Sequence, residues 1–288
     1  MITKCFLCNS EKSHIIHKGV RGNPATNVLK CDNCGLVRLD TFISDTDEYY
    51  RESQMRRGES ETNLKEIRST AQVDDERRYN FISRMIENRR YLDFGCGAGG
   101  VLSLAQDKAK DVYGVELEKA MCNAINEEGI KCYPSVEKAL VNHKGRIDVI
   151  SLFHVLEHLE NPVEYLHKLS ELLADDGVMI IEVPNSDDAL LSIYDCDAFA
   201  DFTYWESHLY LYNNVTFTQL IKKASLKIRF LGQIQRYPLS NTMYWLSRGK
   251  PGGHKDWAML SNEKLDKEYE SALARLGIAD TIMAVVEK

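Results

Sequence analysis

Residues 90–105 restrict this chain to a narrow set of folds. The short run Arg90-Tyr91-Leu92-Asp93-Phe94 passes directly into Gly95-Cys96-Gly97-Ala98-Gly99-Gly100, and helical spacing follows through Ala105. A strand that enters a helix through a glycine turn brings backbone N–H groups against a ligand at the helix N-terminus. The alternation then continues. Strands are expected at 112–116, 147–153, 177–183, 227–231 and 281–286, and helices at 120–128, 162–173 and 216–224. Regular alternation of this kind builds a Rossmann-like α/β fold, a doubly wound and mostly parallel sheet. Two stretches, 186–212 and 237–279, fall outside it and read as insertions. Insertions beside a ligand crevice commonly shape a substrate pocket.

The glycine pattern by itself suits a dinucleotide equally well. Asp93 separates the possibilities, because a carboxylate two residues before Gly95 stands where a pyrophosphate would be repelled. S-adenosylmethionine has no phosphate, and its amino and sulfonium groups are cationic. Glu116, nineteen residues after Gly97, ends the next strand, where a carboxylate can accept hydrogen bonds from ribose hydroxyls.

Eight cysteines bear on the N-terminus. Cys5-Phe-Leu-Cys8 and Cys31-Asp-Asn-Cys34 present two thiolate pairs with 22 residues between them, enough for a hairpin or loop, and four such sulfurs complete a tetrahedral zinc site. Metal binding can fold a segment too small for its own core. Four protein ligands leave no open position, so the expected role is structural. Residues 1–40 are therefore expected to form a zinc-binding module, 41–88 a polar helical connector, and 89–288 the α/β domain. Cys96, Cys122, Cys132 and Cys196 are scattered through core-like segments, which fits a reducing compartment better than disulfides.

The formal net charge is −7, which argues against a broad nucleic-acid surface. Residues 1–40 carry six cations against three carboxylates, a net +3 that leaves −10 for the rest. No apolar run approaches the roughly 20 residues that span a bilayer, and the first residues lack the apolar stretch of a secretory signal. A cytoplasmic location is the expectation.

The segments Leu92–Gly99, Val115-Glu116, Ile147–Leu159 and Leu172–Asn185 together resemble the class I S-adenosylmethionine-dependent methyltransferases over roughly residues 75–235. That resemblance implies a sheet whose order reverses beside the first strand, with a final antiparallel strand inserted. It implies that Asp93, Gly95 and Gly97 line the methionine moiety, Glu116 holds the ribose and Leu117 flanks the adenine. Ser135 and Val136 would stand at the adenine edge, and Phe153 and His154 would border the sulfonium. With its four-cysteine module the chain is also similar to sugar methyltransferases of deoxysugar and surface-polysaccharide pathways. The carbon-methylating members carry Tyr-x-Glu-His, whereas this chain has Tyr204-Trp205-Glu206-Ser207-His208, a displacement that favours oxygen methylation of a sugar or nucleotide-linked sugar.

A hydroxyl acceptor needs its proton removed, and histidine titrates in the right range. His208 is the expected base with His154 in reserve and His158 a further candidate, and Glu206 or Glu157 is the orienting carboxylate. Three competing readings remain: a sugar C-methyltransferase, a zinc-module RNA methyltransferase, and a zinc hydrolase built on His154-x-x-Glu157-His158, which spells an inverted zinc-peptidase motif. The hydrolase needs both histidines on one long helix, yet Pro162 follows closely.

Overall fold

The structure is a computed structural model, and it describes residues 4–42 and 63–288. Part of the expected connector, 43–62, lies outside the described residues. The strands are β1 (Ser13–His17), β2 (Val28–Cys31), β3 (Val37–Leu39), β4 (Arg90–Phe94), β5 (Asp111–Val115), β6 (Lys131–Tyr133), β7 (Ile147–Phe153), β8 (Leu173–Pro184), β9 (Tyr210–Leu211), β10 (Lys227–Ile234) and β11 (Thr281–Glu287). They form two sheets, a seven-stranded one in the order β10-β11-β8-β7-β4-β5-β6 and a four-stranded one in the order β1-β2-β3-β9. The larger sheet is the expected Rossmann-like α/β architecture, and its order reverses at β4. There β5 and β7 flank β4 in parallel, with Asp93 opposite Gly114 on one side and Ser151 on the other. Ligands of open α/β sheets bind outside the carboxyl ends of the strands at such a point.

The chain divides into two compact units. One comprises Ser44–Ile181, Ala224–Arg229 and Val285–Lys288. Its central strands read as continuous apolar runs because parallel strands are covered on both faces. In β7 every residue except Asp148 is buried. The helix Pro162–Leu172 starts with proline at its first turn, where the missing N–H costs nothing, and buries Leu166, Leu169 and Leu172 at helical spacing. β8 begins four residues earlier than expected. Leu173 is already extended and buried while Asp175 and Asp176 are exposed, so their polarity masked the strand's first residues.

The other unit comprises Met1–Ile43, Glu182–Lys223 and Phe230–Ala284. Its antiparallel sheet pairs Lys30 with Val37 and Val37 with Leu211. The stretches read as insertions are largely helical, as Asp197–Thr203, Leu239–Arg248 and Glu263–Leu276. The last has both ends set by sequence: Asn262 accepts from the Leu265 N–H, and Gly277 takes the left-handed cap at φ 77°. Leu273 packs with Ala189 and Ala279 in a small core.

One ion pair staples the middle of the larger sheet. Arg90 donates from Nε to Asp148 Oδ2 and from Nη2 to Oδ1, each at 2.9 Å, and its backbone N–H reaches Oδ2 at 2.8 Å. These bonds hold the Asp148 carboxyl below the usual carboxylate range. A depressed carboxylate stabilises the fold above its unfolded pKa and loses that contribution as pH falls through the folded value. Asp148→Ala is therefore expected to cost about 1–3 kcal/mol at neutral pH, and urea denaturation should show the gap from the parent protein closing below about pH 4.

Candidate active site

The carboxyl ends of β4 and β5 open into a cavity of about 300 Å³. Gly95, Gly97 and Ala98 supply its floor, Glu116 and Leu117 one wall, and His154 and His158 another. The glycine turn exists because its backbone is left-handed at Gly95 (φ 72°), Gly97 (φ 52°) and Gly99 (φ 69°), a region that costs residues with a Cβ. A Cβ on Gly95 would also meet Val155 Cγ2 at 2.5 Å, whereas nothing lies within 4 Å of one on Gly97. The loop is thus packed tightly behind Gly95 and open at Gly97.

Glu116 fixes this loop to the end of β5. Its Oε2 accepts from the Gly97 N–H at 2.8 Å and its Oε1 from the Glu118 N–H at 2.9 Å. Both oxygens are thereby oriented, and a carboxylate has about four acceptor positions to share between backbone and ligand. Asp93 sits behind the loop, 4 % exposed, and accepts from Ser151 Oγ at 2.5 Å, while Tyr91 Oη lies 2.6 Å from the same hydroxyl. Burial pushes the Asp93 carboxyl up to about 7, against the Ser151 hydrogen bond that draws it down.

His154 follows β7 with a left-handed backbone, φ 55°, a conformation that non-glycine residues adopt rarely and mostly at special sites. Its Nδ1 stands 3.2 Å from Oε1 of Glu157, and His158 Nε2 lies 3.9 Å from the same oxygen. Glu157 is fully buried. Residues 156–158 form a single 3-10 turn. The inverted zinc-peptidase reading is corrected here, since the long helix that presents two histidines to a metal is replaced by a strained residue and one short turn.

Some expected residues stand elsewhere. Ser135 caps the helix Val136–His143 by accepting from the Lys138 N–H, and Val136 is buried in that helix; neither lines the cavity. Phe153 ends β7 beneath the Arg78 guanidinium, 5.1 Å from its ring centre, and does not line the cavity either. His208 and Glu206 belong to the other unit. There His208 meets the Trp205 ring at 5.4 Å, and Glu206 is buried against the Arg21-Gly22 backbone, to which its N–H donates at Arg21 O.

Sequence reasoning missed the helix Leu64–Ile82 as a site element. Ile67 lines the cavity, and Arg68 donates from Nε to Ala98 O at 2.8 Å while pairing with Glu128 at 2.7 Å. Its mixed, charge-rich composition hid that face. Met121, from the helix Lys119–Glu127, and Leu159 add apolar lining; a helical period shows which residues turn inward without telling cavity from core.

In the N-terminal module, Cys5 and Cys34 sulfurs lie 3.6 Å apart, as do those of Cys8 and Cys31, and all four fall within 4.8 Å of one another. Tetrahedral zinc with bonds of about 2.3 Å spaces its sulfurs about 3.8 Å apart. The Cys5–Cys8 turn closes through the Asn9 N–H on Cys5 O, and the Cys31–Cys34 turn through the Gly35 N–H on Cys31 O with Gly35 left-handed. The donor set fits a structural metal.

Among the described residues, no helix is long and apolar enough to cross a membrane. Residues 61–229 match a family model described as "Methyltransferase domain". A Saccharomyces cerevisiae protein named ubiquinone biosynthesis O-methyltransferase, mitochondrial, is 36 % identical over 107 residues, 33 % of this chain and 34 % of that one. A Haemophilus ducreyi protein named ubiquinone biosynthesis O-methyltransferase is 31 % identical over 124 residues, 38 % of this chain and 52 % of that one. The chain thus spans about a third to a half of these relatives' length. The fold is shared with a S-adenosylmethionine-dependent methyltransferase from Archaeoglobus fulgidus (TM-score 0.53, 17 % identity, 75 % of this chain and 94 % of that one). It is shared also with a Burkholderia thailandensis 1,6-didemethyltoxoflavin-N1-methyltransferase solved with S-adenosylhomocysteine (TM-score 0.54, 13 % identity, 96 % and 99 %). With the family match covering the glycine turn, Glu116 and His154 alike, the chain belongs to the class I S-adenosylmethionine-dependent methyltransferases.

Proposed function

We propose that this protein transfers the methyl group of S-adenosylmethionine to a hydroxyl oxygen of a small molecule, a sugar or nucleotide-linked sugar. The observation that carries the reading is the convergence of Gly97, Glu116 and His154 on one cavity at the strand-order reversal. Glu116 holds the ribose hydroxyls, Leu117 and Met121 cover the adenine, and Gly95 and Gly97 let the backbone approach the methionine moiety. The buried Asp93 is tied to β7 through Ser151, and its carboxylate form favours the cofactor's cationic end. In the reaction the sulfonium C–S bond breaks as the O–C bond forms in line, and the hydroxyl proton passes to a base. Alignment supplies much of the acceleration.

His154, in place of the expected His208, is the favoured base because it lines the cavity and Glu157 orients its ring; His208, with Glu206 close in sequence, is the second candidate. Oxygen as the acceptor atom is supported by the relatives named ubiquinone biosynthesis O-methyltransferase. Those names also favour a second acceptor class, a phenolic or quinol-type hydroxyl, which keeps the methylation chemistry and changes only the ring. Carbon methylation is the weaker alternative because Tyr204-Trp205-Glu206-Ser207-His208 departs from the carbon-methylating pattern. Cys5, Cys8, Cys31 and Cys34 hold one structural zinc, and the scattered placing of Cys96, Cys122, Cys132 and Cys196 supports a reducing compartment such as the cytoplasm.

Three outcomes are expected. Calorimetry should show S-adenosylmethionine binding and no NAD binding, with Glu116→Ala weakening the former by about 1–3 kcal/mol; unchanged affinity would remove Glu116 from the site. Elemental analysis of freshly purified protein should find one zinc per chain, and Cys31→Ser should release it; protein without metal would end that assignment. With labelled cofactor and a panel of nucleotide sugars, free sugars and catechols, single-turnover transfer to one class identifies the acceptor. His154→Ala should slow that step about 10²–10⁴-fold with cofactor affinity retained. Full transfer in both His154→Ala and His208→Ala would replace the base with solvent.

A further inference from the structure

The unit that holds the four cysteines has a cleft of its own, about 270 Å³, walled by β1–β3 residues and by 186–204. Tyr204 is 6 % exposed and lines it. Among the described residues its phenolic hydroxyl has no hydrogen-bond partner; its ring meets His17 at 5.1 Å, its backbone N–H bonds Ala200 O, and its backbone O accepts from Arg21. With its ring buried and its hydroxyl open to the cleft, Tyr204 presents a hydrogen-bonding group that a polar ligand can engage. Asp187 is close enough to act with burial in pushing that phenol up to about 12.

The rest of the lining is strongly polar and unevenly charged. Asp187, Asp195 and Asp197 contribute three carboxylates against the ammonium of Lys30. Asp187 is held in place by Asn213 Nδ2 at 3.1 Å, and His17, also in the lining, pairs with Asp201 at 3.1 Å. Such a lining accepts hydrogen bonds from hydroxyl and ammonium groups, donates through Tyr204 and Lys30, and repels phosphate. The volume, about 270 Å³, lies just below the roughly 300–1,000 Å³ of clefts that take drug-sized ligands and accommodates one sugar ring.

We propose that this cleft is a binding site for a single polyhydroxylated amine of the amino-sugar class, with the Tyr204 hydroxyl and the Asp187 carboxylate as its inner contacts and Asp195 at its rim. The site does not depend on the methyl-transfer reading, because occupancy is measured without turnover.

The test is saturation-transfer NMR and calorimetry on the full chain with glucosamine, glucose and glucose 6-phosphate as probes. Glucosamine is expected to bind saturably, about tenfold or more tighter than glucose, with glucose 6-phosphate weakest. Tyr204→Phe should lower glucosamine affinity about tenfold. Asp195→Asn changes an exposed side chain and leaves the core intact, so it should weaken glucosamine while leaving glucose unaffected, even where Tyr204→Phe compromises folding. Absence of saturable binding by glucosamine, a phosphorylated sugar that binds as well as the amine, or an Asp195→Asn protein with unchanged selectivity would overturn the proposal. Cofactor binding measured on the same samples keeps this failure distinct from failure of the methyl-transfer reading.

Discussion

The hydrogen bond from the Gly97 N–H to Glu116 Oε2 is the contact on which the cavity at the ends of β4 and β5 depends. It joins the loop after β4 to the end of β5, and it requires a left-handed backbone at Gly97 that a side chain would resist. The same carboxylate takes the Glu118 N–H with its other oxygen, so one residue orients two successive strand ends. Glycine in the turn and glutamate at the strand terminus are thus a single device: the first makes close approach possible and the second fixes where the loop lies.

Around that device the structure places groups whose charge is shaped by burial. Asp93 is shielded from solvent and its carboxyl is pushed up to about 7, while Ser151 and Tyr91 tie it into a buried hydrogen-bonded chain. A cationic ligand near this carboxylate offsets the cost of its burial, whereas a pyrophosphate adds to it. On the opposite side of the cavity, Glu157 is fully buried yet touched by His154. That arrangement orients the His154 imidazole through a carboxylate shielded from solvent.

The four-cysteine module shows a different balance. Its strands β1–β3 are three to five residues long, too short for much of a core, and a metal held by the four converging sulfurs would supply what apolar area does not. Arg38 in β3 is almost completely buried although an isolated charged side chain rarely is, and its Nη1 donates to Leu39 O.

Much of this was legible beforehand. The glycine turn, the alternation of apolar strands with helical periods, and the paired cysteines are local patterns. Backbone freedom, burial on two faces and thiolate spacing each leave a mark within a few residues. For that reason the α/β fold, Glu116 at the end of β5 and the grouping of Cys5, Cys8, Cys31 and Cys34 follow from the chain alone. Ile67 and Arg68 against the glycine turn, the removal of Ser135, Val136 and Phe153 from the cavity lining, and the union of His17 and Lys30 with Asp187 and Tyr204 in one cleft were decided by tertiary structure. Each rests on residues far apart in sequence, and the side chains involved carry no periodicity that would show which partner they meet once the intervening chain has packed.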